Sequence, residues 1–503
     1  MTTDTIATTA VTTSTASVSA APKTERKHTR ARIGIFNVGF HRYWPQFPGL
    51  REELDGYRTE FEDTVRAMGV DVASGGLVDT VDSGRICGDF FAKENVDLII
   101  CFVTTYVQSA FVVPVAQRGN AHMILVGLQP TRGMDVTKVT THLQLVHDNC
   151  TSLPEIMYAL RRCGLRSDTV FGTMHDDPRS AKMIEEWVYA AKAVHALRNA
   201  RVGLLGHPFE GMLDMNVDPT SFTAAFGMHI DMIEMGDLQK RVDDATEEEI
   251  AAMIRRIEDF FTFPEPGSDK AIAGLVTPEA MRNSARVAIG LEKLVADFNL
   301  DGLSHYYRGL NGNNDEMLIA SIIVGASLLT AKGIPVAGEG DLKNCVAMLI
   351  LDRLDSGGSF CELHPADFNG DFVFIGHDGP GHIGISNEQP ALRGLNMYHG
   401  KFGSGVSVEF KVKNGPITIA GITVRENGKF AMIVAEGESL SGAIPQTGNT
   451  NTRAKFKPDM PSFVENWTDA GVTHHFALGI GHTVGILKKI ARIVNMEIQV
   501  VAQ

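Results

Sequence analysis

The sequence predicts an α/β protein in three parts: two parallel-sheet α/β domains followed by a C-terminal antiparallel domain that contains a β-barrel. Two observations carry this. From Arg32 to about Ala331, short apolar runs alternate with helical patterns, the signature of a parallel sheet flanked by helices. After Ser359, apolar and polar residues alternate with period two around Asn-Gly turn signals, which indicates antiparallel strands.

The elements follow in order. Ile33–Val38 reads as a buried strand and Gly49–Met68 as a polar helix. Val96–Val103 and His122–Leu128 are further strands, with helical patterns near 83–94 and 107–118 between them. Leu153–Cys163 and Arg179–Leu197 read as helices around a strand from Thr169 to Met174. Arg201–Gly206 opens a second α/β set, which continues through His229–Met235, a Glu-rich helix from Thr246 to Phe261 and a helix from Pro278 to Phe298. Leu300–Tyr306 is then a strand and Asp315–Ala331 one long helix. In the last third, Val406–Val412, Ile417–Val424 and Phe430–Glu436 alternate with period two, and both Asn414-Gly415 and Glu426–Lys429 read as hairpin turns. The expected divisions are an extension at 1–31, α/β domains at 32–199 and 200–358, and the barrel-containing domain at 359–503. The two α/β domains are Rossmann-like in pattern, but no Gly-x-Gly-x-x-Gly follows the first strand and no P-loop motif occurs, so they lack phosphate cradles.

Composition bounds the function. A chain of 503 residues is too long for one core. Its formal charge of −14 argues against nucleic acid and against an anionic membrane surface as partner. No apolar run is long enough to span a bilayer. Six cysteines lie scattered without a Cys-x-x-Cys pair, which fits free thiols in a reducing cytoplasm. The first ~20 residues are rich in Thr, Ser and Ala and precede a basic patch from Lys23 to Arg32. They read as a disordered extension, with a transit-like segment as the alternative.

Four short stretches carry candidate chemistry: Gly338-Glu339-Gly340-Asp341, Ser359-Phe360-Cys361-Glu362, Gly376-His377-Asp378-Gly379-Pro380-Gly381-His382 and Thr473-His474-His475. Glu339 falls at a strand-to-helix crossover, where α/β proteins place ligands, with Asp341 placed to cap the next helix. Glu362 reads as partly buried, and a carboxylate there needs a metal or a basic partner. A strand-like run, Phe372–Ile375, delivers His377 to the start of its loop, a better place for a ligand than that of His382. Of the neighbours His474 and His475, one suits a metal and the other a substrate. Mixed Glu and His donors suit a divalent first-row cation such as Mn²⁺.

In this order, and with the glutamates 23 positions apart and His377 15 beyond the second, the four stretches resemble the L-arabinose isomerase family. The resemblance extends from about residue 32 to the end, with further echoes in Gly206–Met212, Arg308-Gly309-Leu310 and Asn414–Ile417. It implies a metal-dependent aldose–ketose isomerase acting on a pentose or related sugar through a cis-enediol. It implies Mn²⁺, or another divalent ion such as Co²⁺ or Mg²⁺, held by Glu339, Glu362, His377 and His475, with Glu339 and Glu362 as acid/base catalysts. It implies substrate contacts at Asp341, Phe360, His474, His41, Gln129, Met212 and Tyr306, and a homo-oligomer, hexamer or tetramer, whose active site lies at a subunit interface. Two departures fall in substrate-facing places. The family's Gly-Ser-Gln-His reads Gly39-Phe40-His41 here, and Pro380 stands where an acidic residue is usual. A metal-dependent epimerase or lyase of sugar acids, or a non-catalytic sugar-binding protein built on the paired α/β domains, are the alternative readings.

Overall fold

A computed structural model describes residues 26–266, 272–308, 313–395 and 405–503. The first sheet is five-stranded and parallel. Its strands are β1 (Arg32–Val38), β2 (Asp71–Val78), β3 (Leu98–Phe102), β4 (His122–Gln129) and β5 (Ser167–Thr173), in the order β2-β1-β3-β4-β5. Every residue of the central β3 is buried, because helices cover both faces, so the strand is one unbroken apolar run. The edge strand β2, Asp-Val-Ala-Ser-Gly-Gly-Leu-Val, lacks that run and is the strand that hydrophobicity alone misses. Helices start where capping chemistry places them. Asp177 caps Pro178–Asn199 and Thr246 caps Glu247–Phe260, the latter through a reciprocal bond with Glu249.

The second sheet is also parallel. It contains β6 (Arg201–Gly206) and β7 (His229–Ile233), skips the two-residue β8 (Ala273–Gly274), and continues with β9 (Gly302–Tyr306) and β10 (Val336–Ala337), in the order β10-β9-β6-β7. The helix Leu342–Arg353 follows β10, and all of its residues are buried. It lies between the second sheet and the C-terminal strands, so it has no solvent face and no amphipathic stripe.

The C-terminal region supplies β11 (Gly357–Asp367), β12 (Phe372–His377), β13 (Ala391–Leu395), β14 (Gly405–Glu409), β15 (Gly415–Val424), β16 (Phe430–Ser439), β17 (Thr450–Phe456), β18 (Phe476–Ile480) and β19 (Glu497–Ala502). Six of them close an antiparallel barrel in the order β15-β18-β11-β12-β17-β16, sealed by the β15–β16 ladder, and β19 adds to β16 in parallel. The predicted fold class is therefore the observed one.

Several local expectations need correction. The long helix expected at 315–331 is two helices, Asn314–Ala320 and Ile323–Ala331, bent by 47°. The bend lies under β14, where a Cβ on Gly405 would stand 1.9 Å from the Ala320 carbonyl oxygen. No single helix among the described residues is long and apolar enough to cross a membrane. The run 229–235 ends as a strand at Ile233, because a new helix starts at Met235. Glu426–Lys429 is a hairpin turn, but Asn414-Gly415 is not. β14 pairs with β13 in a small sheet with β8, while β15 belongs to the barrel, so this turn passes the chain between sheets. The expected extension 1–31 overlaps described residues that are tied down: Arg26 Nε donates to Asp352 at 2.9 Å, Lys27 Nζ to Asn299 at 2.7 Å, and Ala31 is fully buried.

Candidate active site

The candidate residues gather where the C-terminal ends of β9 and β10 meet the barrel strands β11, β12 and β18. Glu339 enters from the turn after β10. Its backbone is left-handed (φ +58°), its carbonyl accepts the Phe209 N–H at 2.9 Å, and Gly340 N–H donates to the His305 carbonyl at 3.0 Å. Gly340 is required by contact as well as by its φ of +75°, since a Cβ would lie 2.5 Å from Pro208 Cα. Glu362 stands on β11 opposite Gly376 of β12, and His377 is the last residue of β12. His475 immediately precedes β18 and is fully buried.

These four side chains converge. One oxygen or nitrogen from each of Glu362, His377 and His475 lies within 4.8 Å of the others, and the same holds for Glu339, His474 and His475. His475 belongs to both groups. Glu339 Oε2 is 3.4 Å from His475 Nε2, and neither buried atom has a hydrogen-bond partner among the described residues. Buried polar atoms left unpaired are costly, so a pair of opposed lone-pair donors marks a place for a cation. Two carboxylates and two imidazoles are a donor set that fits a divalent first-row metal.

The electrostatics agree with that fit. Burial opposes ionisation of Glu362, but His364 at 3.4 Å, together with His377 and His475, holds its carboxyl below the usual range. Burial works against a charged His377 too. Asp378 at 3.1 Å, Glu362 and Glu339 outweigh it and raise its pKa. The carboxylates that draw a proton to His377 are equally placed to draw a cation. Burial lowers the pKa of His475, with Asp341 opposing and His377 adding to the effect, which favours the neutral imidazole that a ligand must be.

The expected substrate residues divide into three groups. Asp341 and Phe360 are fully buried and support the imidazoles. Asp341 caps Leu342–Arg353 by accepting the Asn344 N–H at 3.0 Å and lies 3.2 Å from His475 Nδ1. Its desolvation is outweighed by the His475 bond and by Lys343, so its carboxyl stays below the ordinary range. The Phe360 ring packs 4.4 Å from His377 and 4.5 Å from His475. The second group, His474, Met212 and Tyr306, borders the more exposed side of the site, with Tyr306 itself buried. His474 is about one-third exposed. Met212 is part of the turn that bonds to it, and Tyr306 ends β9 with its ring 4.8 Å from Phe209. Burial, Glu210 and Glu339 raise the Tyr306 pKa. His41 and Gln129 form the third group. Their bonds are to residues around the first sheet, His41 to the Asp79 carbonyl at 3.0 Å and Gln129 to the His147 carbonyl at 3.2 Å.

Sequence reasoning missed His364, Asp214 and Lys343. His364 had a signal, since Glu362 and His364 are two apart on a strand and so share a face. Asp214 and Lys343 had none. Each matters only through a fold that brings residue 214 beside 474.

Comparison with known proteins places the chain in a family. A family model for the L-arabinose isomerase central domain matches residues 215–357, and one for the L-arabinose isomerase C-terminal domain matches 357–497. L-arabinose isomerase 1 of Bacillus licheniformis is 20% identical over 459 residues, 90% of this chain and 85% of the relative. The L-arabinose isomerase of Cellvibrio japonicus is 24% identical over 329 residues, 64% of this chain and 63% of its own. That of Aeromonas hydrophila is 22% identical over 348 residues, 68% of each. A solved periplasmic solute-binding protein of Actinobacillus succinogenes, with bound D-allose, is 12% identical over 61% of this chain and 78% of its own, but superposes with a TM-score of only 0.15 and does not bear on the fold. With two matched domain models in sequence, and one relative aligned over 90% of the chain, the chain belongs to the L-arabinose isomerase family, whose members interconvert aldose and ketose sugars.

Proposed function

We propose that the protein is a metal-dependent isomerase that interconverts an aldose and a ketose, a pentose or a related sugar, through a cis-enediol. The observation that carries this reading is the convergence of Glu339, Glu362, His377 and His475, with the unpaired Glu339 Oε2 and His475 Nε2 facing each other at 3.4 Å. These four residues would hold the divalent ion, Mn²⁺ or alternatively Co²⁺ or Mg²⁺. When bound, such an ion acts as a Lewis acid toward neighbouring sugar oxygens and makes the C2 proton easier to remove. The protein supplies the rest. One of Glu339 and Glu362 takes the proton from C2, and a carboxylic acid returns one to C1. Phe360 and Asp341 keep the imidazoles in register.

In this reading the chain is organised as 32–199, 200–358 and 359–503, acts in the cytoplasm, and assembles into a hexamer or tetramer. A neighbouring subunit's first domain would then complete the sugar site with the residues equivalent to His41 and Gln129.

The test is Glu339→Gln, which keeps the shape and removes the base. Turnover of the preferred sugar is expected to fall by about 10²-fold or more, the scale of a lost general base. In D₂O, an enediol route places solvent deuterium on C1 of the ketose, whereas a hydride shift leaves none. Near-normal turnover by the variant, together with deuterium-free product, would sink the mechanism. Full activity of metal-stripped protein in EDTA would sink the metal dependence. A product epimeric at C2 with no ketose would favour the epimerase reading.

A further inference from the structure

Two adjacent histidines on one turn each face an aspartate. His475 Nδ1 lies 3.2 Å from Asp341 Oδ2, and both side chains are wholly buried. His474 Nδ1 lies 2.6 Å from Asp214 Oδ2, and the same oxygen accepts the main-chain N–H of His474 at 2.9 Å. One carboxylate oxygen therefore fixes both the ring and the backbone of His474. Asp214 lies on the short turn Leu213–Met215, 260 positions from His474 in sequence.

That turn is itself held. Met215 is fully buried, and the Asp214 carbonyl accepts from Lys343 Nζ at 2.7 Å. Lys343 is 1% exposed and its charge acts on both Asp341 and Asp214. A single buried lysine thus ties the two aspartate–histidine pairs together. The pairs differ in access. The His475 pair is sealed, whereas the side chains of His474 and Asp214 are 35% and 38% exposed. His474 nevertheless reaches the Glu339 and His475 donor atoms to within 4.8 Å.

We infer that Asp214 is a positioning residue for the isomerase: it holds His474 with Nδ1 as the hydrogen-bond donor and leaves Nε2 as an acceptor for a sugar hydroxyl beside Glu339. The partner of one ring nitrogen decides which nitrogen carries the proton, so the aspartate sets the tautomer as well as the ring's direction. His475 is committed inward and His474 outward by the same device. The inference rests on the isomerase reading, and it gives His474 a role in sugar binding rather than as a further metal donor.

The experiment compares wild type, Asp214→Asn, Asp214→Glu, His475→Ala and Glu339→Gln. An asparagine keeps the size of the side chain but no longer requires Nδ1 to be the protonated nitrogen. Asp214→Asn is expected to lower kcat/KM by about 10- to 100-fold, the scale for partners that orient metal-ligating imidazoles, applied here to an imidazole directed at the sugar. Asp214→Glu is expected to recover part of that loss. Calorimetric Mn²⁺ affinity should stay within about twofold of wild type in Asp214→Asn, while His475→Ala loses most of it. Calorimetry with a pentitol on the Mn²⁺-loaded protein should show weaker binding to Asp214→Asn even if no turnover is measured. Nitrogen-15 shifts of His474 in the metal-free protein should report a protonated Nδ1 in wild type and a mixture in Asp214→Asn.

Wild-type kinetics and pentitol affinity in Asp214→Asn, with Glu339→Gln inactive, would overturn this inference and leave the isomerase reading standing. A loss of Mn²⁺ affinity in Asp214→Asn as large as that in His475→Ala would also overturn it, by placing His474 among the metal donors. Absence of turnover in wild type on any aldose or ketose would count against the isomerase reading instead, and the pentitol and nitrogen-15 arms would still decide the role of Asp214.

Discussion

Replacing Gly340 by alanine tests whether the turn that presents Glu339 is as constrained as its geometry indicates. Two costs act together. At φ +75° an L side chain sits in the left-handed region, which costs about 1–2 kcal/mol. The new Cβ would also stand 2.5 Å from Pro208 Cα and 2.6 Å from the His207 carbonyl oxygen, and backbone atoms cannot rotate aside as side chains do. Overpacking of this kind costs about 1–3 kcal/mol. If the turn relaxes by moving, Glu339 leaves its place opposite His475, and metal binding must restore it. The whole cost, about 2–5 kcal/mol, then appears as weaker Mn²⁺ binding, roughly 30- to 4,000-fold at 1.4 kcal/mol per tenfold. Gly338→Ala is the control. Its Cβ would come nearest the Phe360 ring edge, at 3.1 Å, and Gly338 is not left-handed, so a loss below about tenfold is expected. Calorimetric titration with Mn²⁺ reads both variants. Equal affinities in Gly340→Ala and wild type, with unchanged thermal stability, would refute the argument that this backbone conformation places the glutamate.

Other expectations follow from the same contacts. A chain that begins at Thr29 loses the bonds of Arg26 to the fully buried Asp352 and of Lys27 to Asn299, so it should melt below a chain that begins at Lys23. Equal melting curves would show that this segment contributes nothing. The Glu292 carboxylate accepts from Lys332 at 2.7 Å and Arg256 at 2.8 Å, and these outweigh its desolvation to hold its pKa below the ordinary range. Its contribution is therefore full above about pH 4.3, the unfolded value, and is lost as pH falls through the folded value. Glu292→Gln should lower urea resistance more at pH 7 than at pH 3. A deficit that is the same at both pH values would contradict the linkage. If neighbouring subunits share each active site, inactive Gln129→Ala and Glu339→Gln proteins should regain activity when unfolded, mixed and refolded together. A mixture as inactive as its parts would argue that each chain builds its site alone.

How much of this was legible in the sequence depended on how each segment is covered. β3 and β4 are covered on both faces and read as continuous apolar runs, whereas β2, at a sheet edge with Gly75-Gly76 in its middle, does not. β15 and β16 declared themselves through the Glu426–Lys429 turn and their alternation. β18 did not: like β15 and β16 it is buried on both faces, with Phe476 and Leu478 in one core cluster and Ala477 in another, but it is only five residues long and no hairpin turn marks it. The bend at Ser321–Ile322 was hidden because neither a proline nor a charge interrupts Met317–Ala331.

The site divides along the same physical line. Glu339, His377 and His475 were legible because each lies beside glycine or at a strand end, where the chain turns and a side chain is presented rather than packed, whereas Glu362, in the middle of β11, was legible as a half-buried carboxylate that needs a partner. What orients them was not legible. Asp341 could be read as a helix cap, yet its second oxygen serves His475 across 134 positions, and Asp214 reaches His474 across 260. Those pairings exist because the buried helix Leu342–Arg353 is held between the second sheet and the barrel, so that its capped N-terminus arrives directly beneath the His474-His475 turn. A local motif can specify which atoms are offered. Their protonation and direction come from partners that only the packing of that helix brings within reach, and so the residues that tune the site carry no local mark of their role.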